Sequence, residues 1–455
     1  MEPVKLKAVL SAAILASGMM LVLVIGTGAA ATAYQADGLA IDFGEREVVW
    51  TDADLHAVND PIELLIFACN ENRFDYEVIG GEVIEIRDVR SDTEREWGFW
   101  VIDKGSIEWR KVLPPYDLNL LNYTSCVWAF TGGSERPTVG ADQSGNSIFG
   151  YPRPQRTVSL APSITEIIGS LNAVSTLVGT DKYSNWPNSV VDGQIRGDIT
   201  IVGDWQFPSY EMIMSTNPEM VFCDGSVYTH REMSESLRRS DVPTVVMYSG
   251  ESIETILDNI YIIGLVIQYD MRALSVISQL ETAQNEMTSL IQDTPGTVLV
   301  STMLSLSSDK SPWVSGKYTY ADDVLNMTFG INAMPSNFLG WVHVSSEIIA
   351  FSNPSVIIIL SSDYRATQAE YDLMIASLSA EWRHTDAYDP DNMQIYLFCD
   401  DLAELALRAG PRYAQLMEIM AMILHPEAFD TELPKFIGNE YESYLTFSKY
   451  LGFND

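Results

Sequence analysis

Two stretches of the chain set the same side chains at the same spacing. Trp205 is followed by Glu211 and then Asn217-Pro218, and Trp341 by Glu347 and then Asn353-Pro354. In each copy Glu comes six residues after Trp, and Asn-Pro begins six residues after Glu. Apolar runs follow both, Met220 to Cys223 and Val356 to Leu360. A tryptophan offers a flat face for contact with a ligand. A carboxylate offers a bidentate partner for arginine. The repeated spacing points to two related lobes, each presenting one Trp and one Glu at an equivalent place. Two such lobes facing each other make a cleft, and clefts bind ligands. Each Glu also has a plain structural reading. Ser209 and Ser345 cap helices, and a carboxylate in the first turn is favoured by the helix dipole by about 0.3–1 kcal/mol. The same pair of exposed carboxylates suits paired arginines on a two-fold partner.

Two more aromatic residues fall in comparable loops, Tyr183 in Asp181-Lys-Tyr-Ser-Asn-Trp-Pro187 and Trp313 in Ser311-Pro-Trp-Val-Ser-Gly316. With Trp205 and Trp341 they suit a large, flat, partly apolar ligand, or else the packing of the loops themselves. Nothing assembles an acid, a base and a nucleophile. The five histidines lie at 56, 230, 343, 384 and 425, none in an HExxH. There is no GxSxG, P-loop or GxGxxG. The four cysteines form no CxxC, and no His/Cys group has metal spacing. The expectation is a protein that is not an enzyme and carries no cofactor and no metal. Cys69 and Cys126 could pair in an oxidising compartment, whereas Cys223 and Cys399 read as small buried hydrophobes. The acidic pairs Asp322-Asp323 and Asp400-Asp401 read as solvated charges at helix ends.

The chain of 455 residues is 47% hydrophobic, enough for two or three domains with their own cores. Its formal net charge of -35 disfavours nucleic acid, whose binding needs Lys and Arg against phosphates. Lys5 and Lys7 precede an uncharged run from Ala8 to Ala33 that closes in small residues. Residues 1–33 therefore read as a signal peptide or a membrane anchor, placing the body outside the cytoplasmic membrane. No cysteine follows the run, so a lipoprotein-type anchor is not supported.

The elements that must position these residues follow from the rhythm of the chain. Residues 38–130 read as a β-rich domain of short alternating or apolar runs, Ile62 to Cys69 among them. Residues 131–155, rich in Gly and Pro, read as a linker. From 156 the pattern becomes alternating strands and helices, predicting an α/β fold of two Rossmann-like lobes. The first spans 156–268. In it Ser163 is a plausible N-cap, with Glu166 at capping-box spacing. Residues 269–293 form a long, stiff connecting helix. The second lobe spans 294–425, its first strand at Val298 to Met303, and residues 426–455 form a helical tail.

The segment Arg156-Thr-Val-Ser-Leu-Ala-Pro-Ser-Ile-Thr-Glu166, with Val178-Gly179 and Tyr183-Ser-Asn-Trp-Pro187 after it, resembles the opening of class III substrate-binding proteins of ABC importers. These are the cobalamin, siderophore and haem binders. The resemblance covers about residues 155–425 and is closest to the vitamin B12-binding members. It implies two α/β lobes joined by a rigid helix. Trp205, Trp341 and Tyr183 fall on ligand-facing positions, and Trp313 in Pro312-Trp-Val-Ser-Gly-Lys317 on a cleft loop. Pro162 and Ser163 belong to the opening segment and are taken as ligand-binding with them. Glu211 and Glu347 match the two carboxylates that dock on arginines of a permease dimer, which works with its ATPase subunits. Arg408-Ala-Gly-Pro-Arg412 matches the family's late Pro-Arg motif, although Glu404-Leu405-Ala406 stand where a Trp is expected before it. The implied function is extracytoplasmic capture of cobalamin or a related corrinoid. The alternative within the family is an iron-siderophore or haem complex, for which His343 is a candidate axial ligand. A cell-surface sensor or adhesin, or a chelatase-type enzyme on a similar fold, are the readings from other classes. Trp97-Gly-Phe-Trp100, Asp103-Lys-Gly105 and Val127-Trp-Ala-Phe130 more loosely resemble a β-domain found at the C-terminus of transcobalamin.

Overall fold

The computed structural model describes residues 35–58, 60–133, 135–137, 139–293, 300–361 and 364–449. The expected signal or anchor segment 1–33 and the start of the expected strand at 298–299 lie outside them.

The N-terminal unit is built from β1 (Gly38–Asp42), β2 (Val48–Asp52), α1 (Pro61–Asn72), β3 (Tyr76–Ile79), β4 (Glu82–Ile86), β5 (Val89–Arg90), β6 (Arg95–Asp103), β7 (Trp109–Val112) and β8 (Tyr123–Gly132). One sheet runs β2-β1-β8-β6-β7, and a smaller one β3-β4-β5. The residues carrying the looser resemblance face one another across β6 and β8, with Phe99 opposite Trp128 and Trp100 opposite Val127. Residues 62–69 are helix, not the expected strand. Asp60 Oδ1 accepts from the Ile62 and Glu63 amides at 2.8 and 3.0 Å, and Pro61 pre-sets the first turn. Leu64, Leu65, Ala68 and Cys69 then make one buried face, a helical spacing hidden inside an apolar run. Cys69 and Cys126 are free and buried rather than paired, as are Cys223 and Cys399.

The first lobe carries β9 (Thr157–Ser159), α2 (Pro162–Ser170), β10 (Leu177–Thr180), α3 (Asn188–Arg196), β11 (Thr200–Ile201), α4 (Tyr210–Ser215), β12 (Met220–Asp224), α5 (Tyr228–Arg238) and β13 (Thr244–Met247). Its sheet is wholly parallel, in the order β11-β10-β9-β12-β13. The strands read as near-continuous apolar runs because helices cover both faces. Then come α6 (Ile253–Val266) and the 24-residue α7 (Asp270–Asp293).

The second lobe holds β14 (Val300–Ser305), β15 (Trp313–Ser315), α8 (Tyr320–Met327), β16 (Gly330–Asn332), β17 (Trp341–His343), α9 (Ser346–Ser352), β18 (Val356–Leu360), α10 (Gln368–Ser377), β19 (Ile395–Phe398), α11 (Asp400–Leu405), α12 (Tyr413–Leu424) and β20 (Phe436–Ile437). Its sheet runs β17-β15-β14-β18-β19-β20, with β16 also on β14; β15 and β17 form an antiparallel ribbon at its edge. Residues 426–449 are not the expected helix. They hold β20, parallel to β19, between 3-10 turns at Pro426–Ala428 and Asn439–Ser443. Pro434, with no N–H to give, and Gly438 interrupt any helical repeat there.

Ile260 of α6, Leu280 of α7, Val324 of α8 and Met417 of α12 share a single core with Ile167 of the first lobe and Phe398 of the second. The lobes are thus joined by packed helices rather than by a bare hinge. The Gly-rich stretch after β8 is itself packed. Val139, Ala141, Ile148 and Phe149 are buried, and the buried Asp142 carboxylate accepts from the Val246 amide at 3.0 Å and pairs with Arg238.

Candidate functional site

A cleft of about 630 Å³ opens where the C-terminal ends of β12 and β13 face the second lobe. Pro162, Ser163, Tyr183 and Trp205 contribute from the first lobe, Trp341 and Tyr318 from the second. This is the usual place for a ligand on parallel sheets, outside the carboxyl ends of the strands. The volume lies within the ordinary range for small-molecule sites.

Trp205 is half-buried, and its loop is pinned from behind. His230, fully buried in α5, accepts at Nδ1 from the Asp224 amide at 3.0 Å, so its Nε2 carries the proton donated to the Trp205 carbonyl at 2.6 Å. Burial lowers the pKa of this imidazole and keeps it neutral, the form the two bonds require. Thr229 Oγ1 donates to the Gln206 carbonyl at 2.6 Å. On the other wall Trp341 stands on β17 opposite Ser315. Neutral polar residues Ser163, Ser226, Ser249, Asn259 and Thr319 line the cleft with the two tryptophans.

The charges of the cleft are Asp224, Glu251, Glu404 and Arg408. Arg408 is already engaged. It donates to Glu166 at 3.1 Å, Glu404 at 2.7 Å, Asn185 Oδ1 at 2.7 Å and the Tyr183 carbonyl at 3.1 Å. Those last two bonds tie the Tyr183 loop to the second half of the chain. Within the loop, the buried Asp181 accepts from the Tyr183 amide at 2.7 Å and from Ser184; burial pushes its carboxyl up to about 6.

Beneath the cleft lies a buried ion network. Glu166 on α2 takes Arg412 in bidentate fashion at 2.7 and 3.1 Å, and Arg412 also bonds Asp401 at 2.7 Å and the Tyr441 hydroxyl at 3.3 Å. Arg412 is 1% exposed, and its guanidinium stacks over the Trp186 ring. Glu166 is therefore no capping residue: Ala161 occupies the cap of α2, Pro162 opens the helix, and Ser163 faces the cleft. Nor are Asp401 and Asp322 free surface charges. Asp401 is paired with Arg412, and the buried Asp322 with Lys317 and Asn332.

Of the residues singled out by sequence, Pro162, Ser163, Tyr183, Trp205 and Trp341 come together in the cleft. Trp313 does not. It is 50% exposed on β15, with its ring 5.6 Å from that of its cross-strand partner His343. The two share a ribbon face with Trp341 but sit two residues further along, and neither lines the cleft. Glu211 and Glu347 are exposed in the first turns of α4 and α9, one on each lobe, outside the cleft lining. A hydrogen bond from Ser345 holds the Glu347 carboxyl below the usual carboxylate range. Sequence reading missed His230, Glu166 and Tyr248; only the Pro-Arg motif hinted at the partner of Glu166. Among the described residues no group of His, Cys, Asp and Glu has the geometry to hold a metal ion, and no helix is long and apolar enough to cross a membrane.

A periplasmic binding protein family model matches residues 157–397. A Bacillus subtilis protein named as an uncharacterized ABC transporter substrate-binding lipoprotein is 23% identical over 298 residues, 64% of this chain and 87% of that one. Among solved structures, a periplasmic haem-binding protein from Pseudomonas aeruginosa superposes with a TM-score of 0.53 at 18% identity, covering 61% of this chain and 95% of its own. The periplasmic vitamin B12-binding protein of Vibrio cholerae gives 0.49 at 18% identity, covering 61% and 99%. Two α/β lobes around a cleft, with the family match running from β9 to β19, lead to one conclusion: the chain belongs to the periplasmic binding protein family, whose members bind substrates and are not enzymes.

Proposed function

We propose that the protein captures cobalamin or a related corrinoid outside the cytoplasmic membrane and hands it to the permease dimer of an ABC importer driven by its ATPase subunits. The observation that carries this reading is the chemistry of the cleft. Trp205 and Trp341 line the cleft from opposite lobes, neutral polar residues and the carboxylates Asp224, Glu251 and Glu404 line it with them, and the single lining cation, Arg408, is held by Glu166 and Glu404. A corrin ring presents a broad apolar face fringed with carboxamides, which such a surface matches.

Haem is the second reading. Tyr183 and Tyr318 are exposed at the cleft, and a tyrosine oxygen is a known haem ligand. Against it, two propionate carboxylates would enter a cleft carrying Asp224, Glu251 and Glu404 with its one cation engaged. His343, outside the lining, gives it no axial ligand. Titration with cyanocobalamin, haemin and a ferric siderophore, followed by Trp fluorescence, separates the two. Quenching by cyanocobalamin alone is expected; no response to it, with saturation by haemin, overturns the corrinoid reading.

Under this reading Pro162, Ser163, Tyr183, Trp205 and Trp341 contact the ligand, while Glu211 and Glu347 pair with permease arginines. Glu211→Ala with Glu347→Ala should abolish uptake and leave ligand affinity within about twofold. Uptake at the wild-type rate removes the docking role. The division into units at 38–130, 131–155, 156–268, 269–293 and 294–425 is proposed with it. Attachment at the membrane would run through residues 1–33 where that segment serves as an anchor and not as a signal peptide, since the first cysteine, Cys69, lies far beyond the apolar run. Kinship of the β-rich unit with the transcobalamin domain is a proposal of the same kind.

A further inference from the structure

We infer that Gln143, which lies before the family-matched region, is a positioning residue of the cleft, so that the segment following the β-rich unit forms part of the ligand site's frame. The inference rests on reading the interlobe cleft as that site. The first-lobe wall of the cleft includes Tyr248, Ser249, Gly250 and Glu251, which leave the end of β13 with no regular structure of their own. A wall of this sort keeps its shape only if its backbone groups are satisfied from elsewhere. On one side Asn259 of α6 does so, accepting from the Tyr248 amide at 3.0 Å and donating to the Tyr248 carbonyl at 2.9 Å. On the other side the partner is Gln143. Its Oε1 accepts from the Ser249 amide at 2.9 Å, its Nε2 donates to Ser249 Oγ at 3.2 Å, and its own amide donates to the Val246 carbonyl at 2.9 Å.

The neighbouring residues support the same placement. The Tyr248 hydroxyl donates to the Ala141 carbonyl at 2.9 Å, and Asp142 accepts from the Val246 amide. Gly225, between the lining residues Asp224 and Ser226, leaves the space the carboxamide fills. A Cβ there would lie 1.9 Å from Gln143 Oε1 and 2.4 Å from the Met247 carbonyl. One side chain thus spans the ends of β12 and β13, the two strands that carry Asp224, Ser226 and the Tyr248–Glu251 wall. Behind Ser249, Gln143 also closes a cavity of about 540 Å³ that shares Tyr248, Ser249, Glu251, Tyr318 and Thr319 with the cleft.

The test compares Gln143→Ala with Arg46→Ala. Arg46 fastens the β-rich unit to α6 and α7 through Glu254, Asp258 and Glu281 and does not line the cleft. A residue that only held the units together would behave as Arg46 does. The expectation is that Gln143→Ala weakens cyanocobalamin about tenfold, while Arg46→Ala lowers thermal stability with affinity unchanged. Gly225→Ala, which pushes the same carboxamide from the other side, should reproduce the loss of affinity. Amide hydrogen exchange at Ser249 should accelerate at least tenfold in Gln143→Ala and not in Arg46→Ala. Equal affinities, or equal Ser249 exchange, in the two variants overturn the inference. Wild-type protein that ignores cyanocobalamin overturns the corrinoid reading instead, and the exchange rates then decide the role of Gln143 by themselves.

Discussion

Replacing Glu166 by Gln tests the ion network under the cleft. Glu166 accepts three charge-assisted bonds, two from Arg412 and one from Arg408, at 2.7 to 3.1 Å, and its side chain is 1% exposed. The substitution keeps the shape but presents an N–H₂ toward guanidinium donors and leaves Arg412 buried. Asp401 remains, with bonds at 2.7 and 3.2 Å, so the charge is half compensated rather than orphaned. Removing one partner of a buried pair costs about 3–5 kcal/mol, most of it the uncompensated charge. That corresponds to roughly two to four powers of ten in the local opening equilibrium. Native-state hydrogen exchange of α12, whose residues are all buried and which begins directly after Arg412, reads that equilibrium. Arg408 loses a bond too, so the Tyr183 loop should exchange faster in step. A loss below about 1 kcal/mol in α12 would show that Asp401 and Tyr441 suffice for Arg412, and the network would then be a weak determinant of the fold.

Trp205→Ala or Trp341→Ala should each weaken cyanocobalamin by roughly 10- to 100-fold, from about 100 Å² of aromatic face at about 25 cal/mol per Å²; titration curves superimposable on wild type would exclude them from the contact surface. The neutral His230 makes stability and cleft order pH-dependent. Its pKa is lowered by folding, so below the ordinary value near 6.5 the unfolded chain takes up the proton first and stability falls as pH falls. A His230→Gln variant should flatten that slope between about pH 6.5 and 5 in denaturation midpoints; an unchanged slope assigns the titration elsewhere. The thiols should resist modification, since burial pushes Cys126 and Cys399 up to about 12 and raises Cys223 as well; rapid labelling of the native protein by a disulfide reagent at pH 8 would contradict that burial.

The βα rhythm and the paired Trp…Glu spacing were legible because each is a local pattern: apolar strands ending in loops, and helix caps after them. The cleft aromatics Tyr183 and Trp205 followed from those loops, whereas Trp341, expected in a loop, stands on β17. Trp313 shares the ribbon face of Trp341 but stands two residues further along, beside His343 and outside the cleft lining, a placement set by the β15–β17 register that sequence does not show. The helix at 61–72 was hidden in an apolar run too uniform to show its period. Glu166 and Arg412 lie 246 residues apart and meet only through tertiary packing. Glu166 was therefore assigned to a nearby capping serine, the only partner that local spacing offers. Gln143 sits in a Gly- and Pro-rich stretch whose composition resembles that of any exposed connection.

The core shared by α6, α7 and α12 bears on traffic as well as on shape. Glu211 and Glu347 ride on different lobes, and helices packed into one shared core would hold the distance between them like marks on a ruler. A transporter that gauged this distance would read the same value on empty and loaded copies. Empty copies would then queue for the same seat, so that producing more binding protein than there is ligand would slow uptake instead of speeding it.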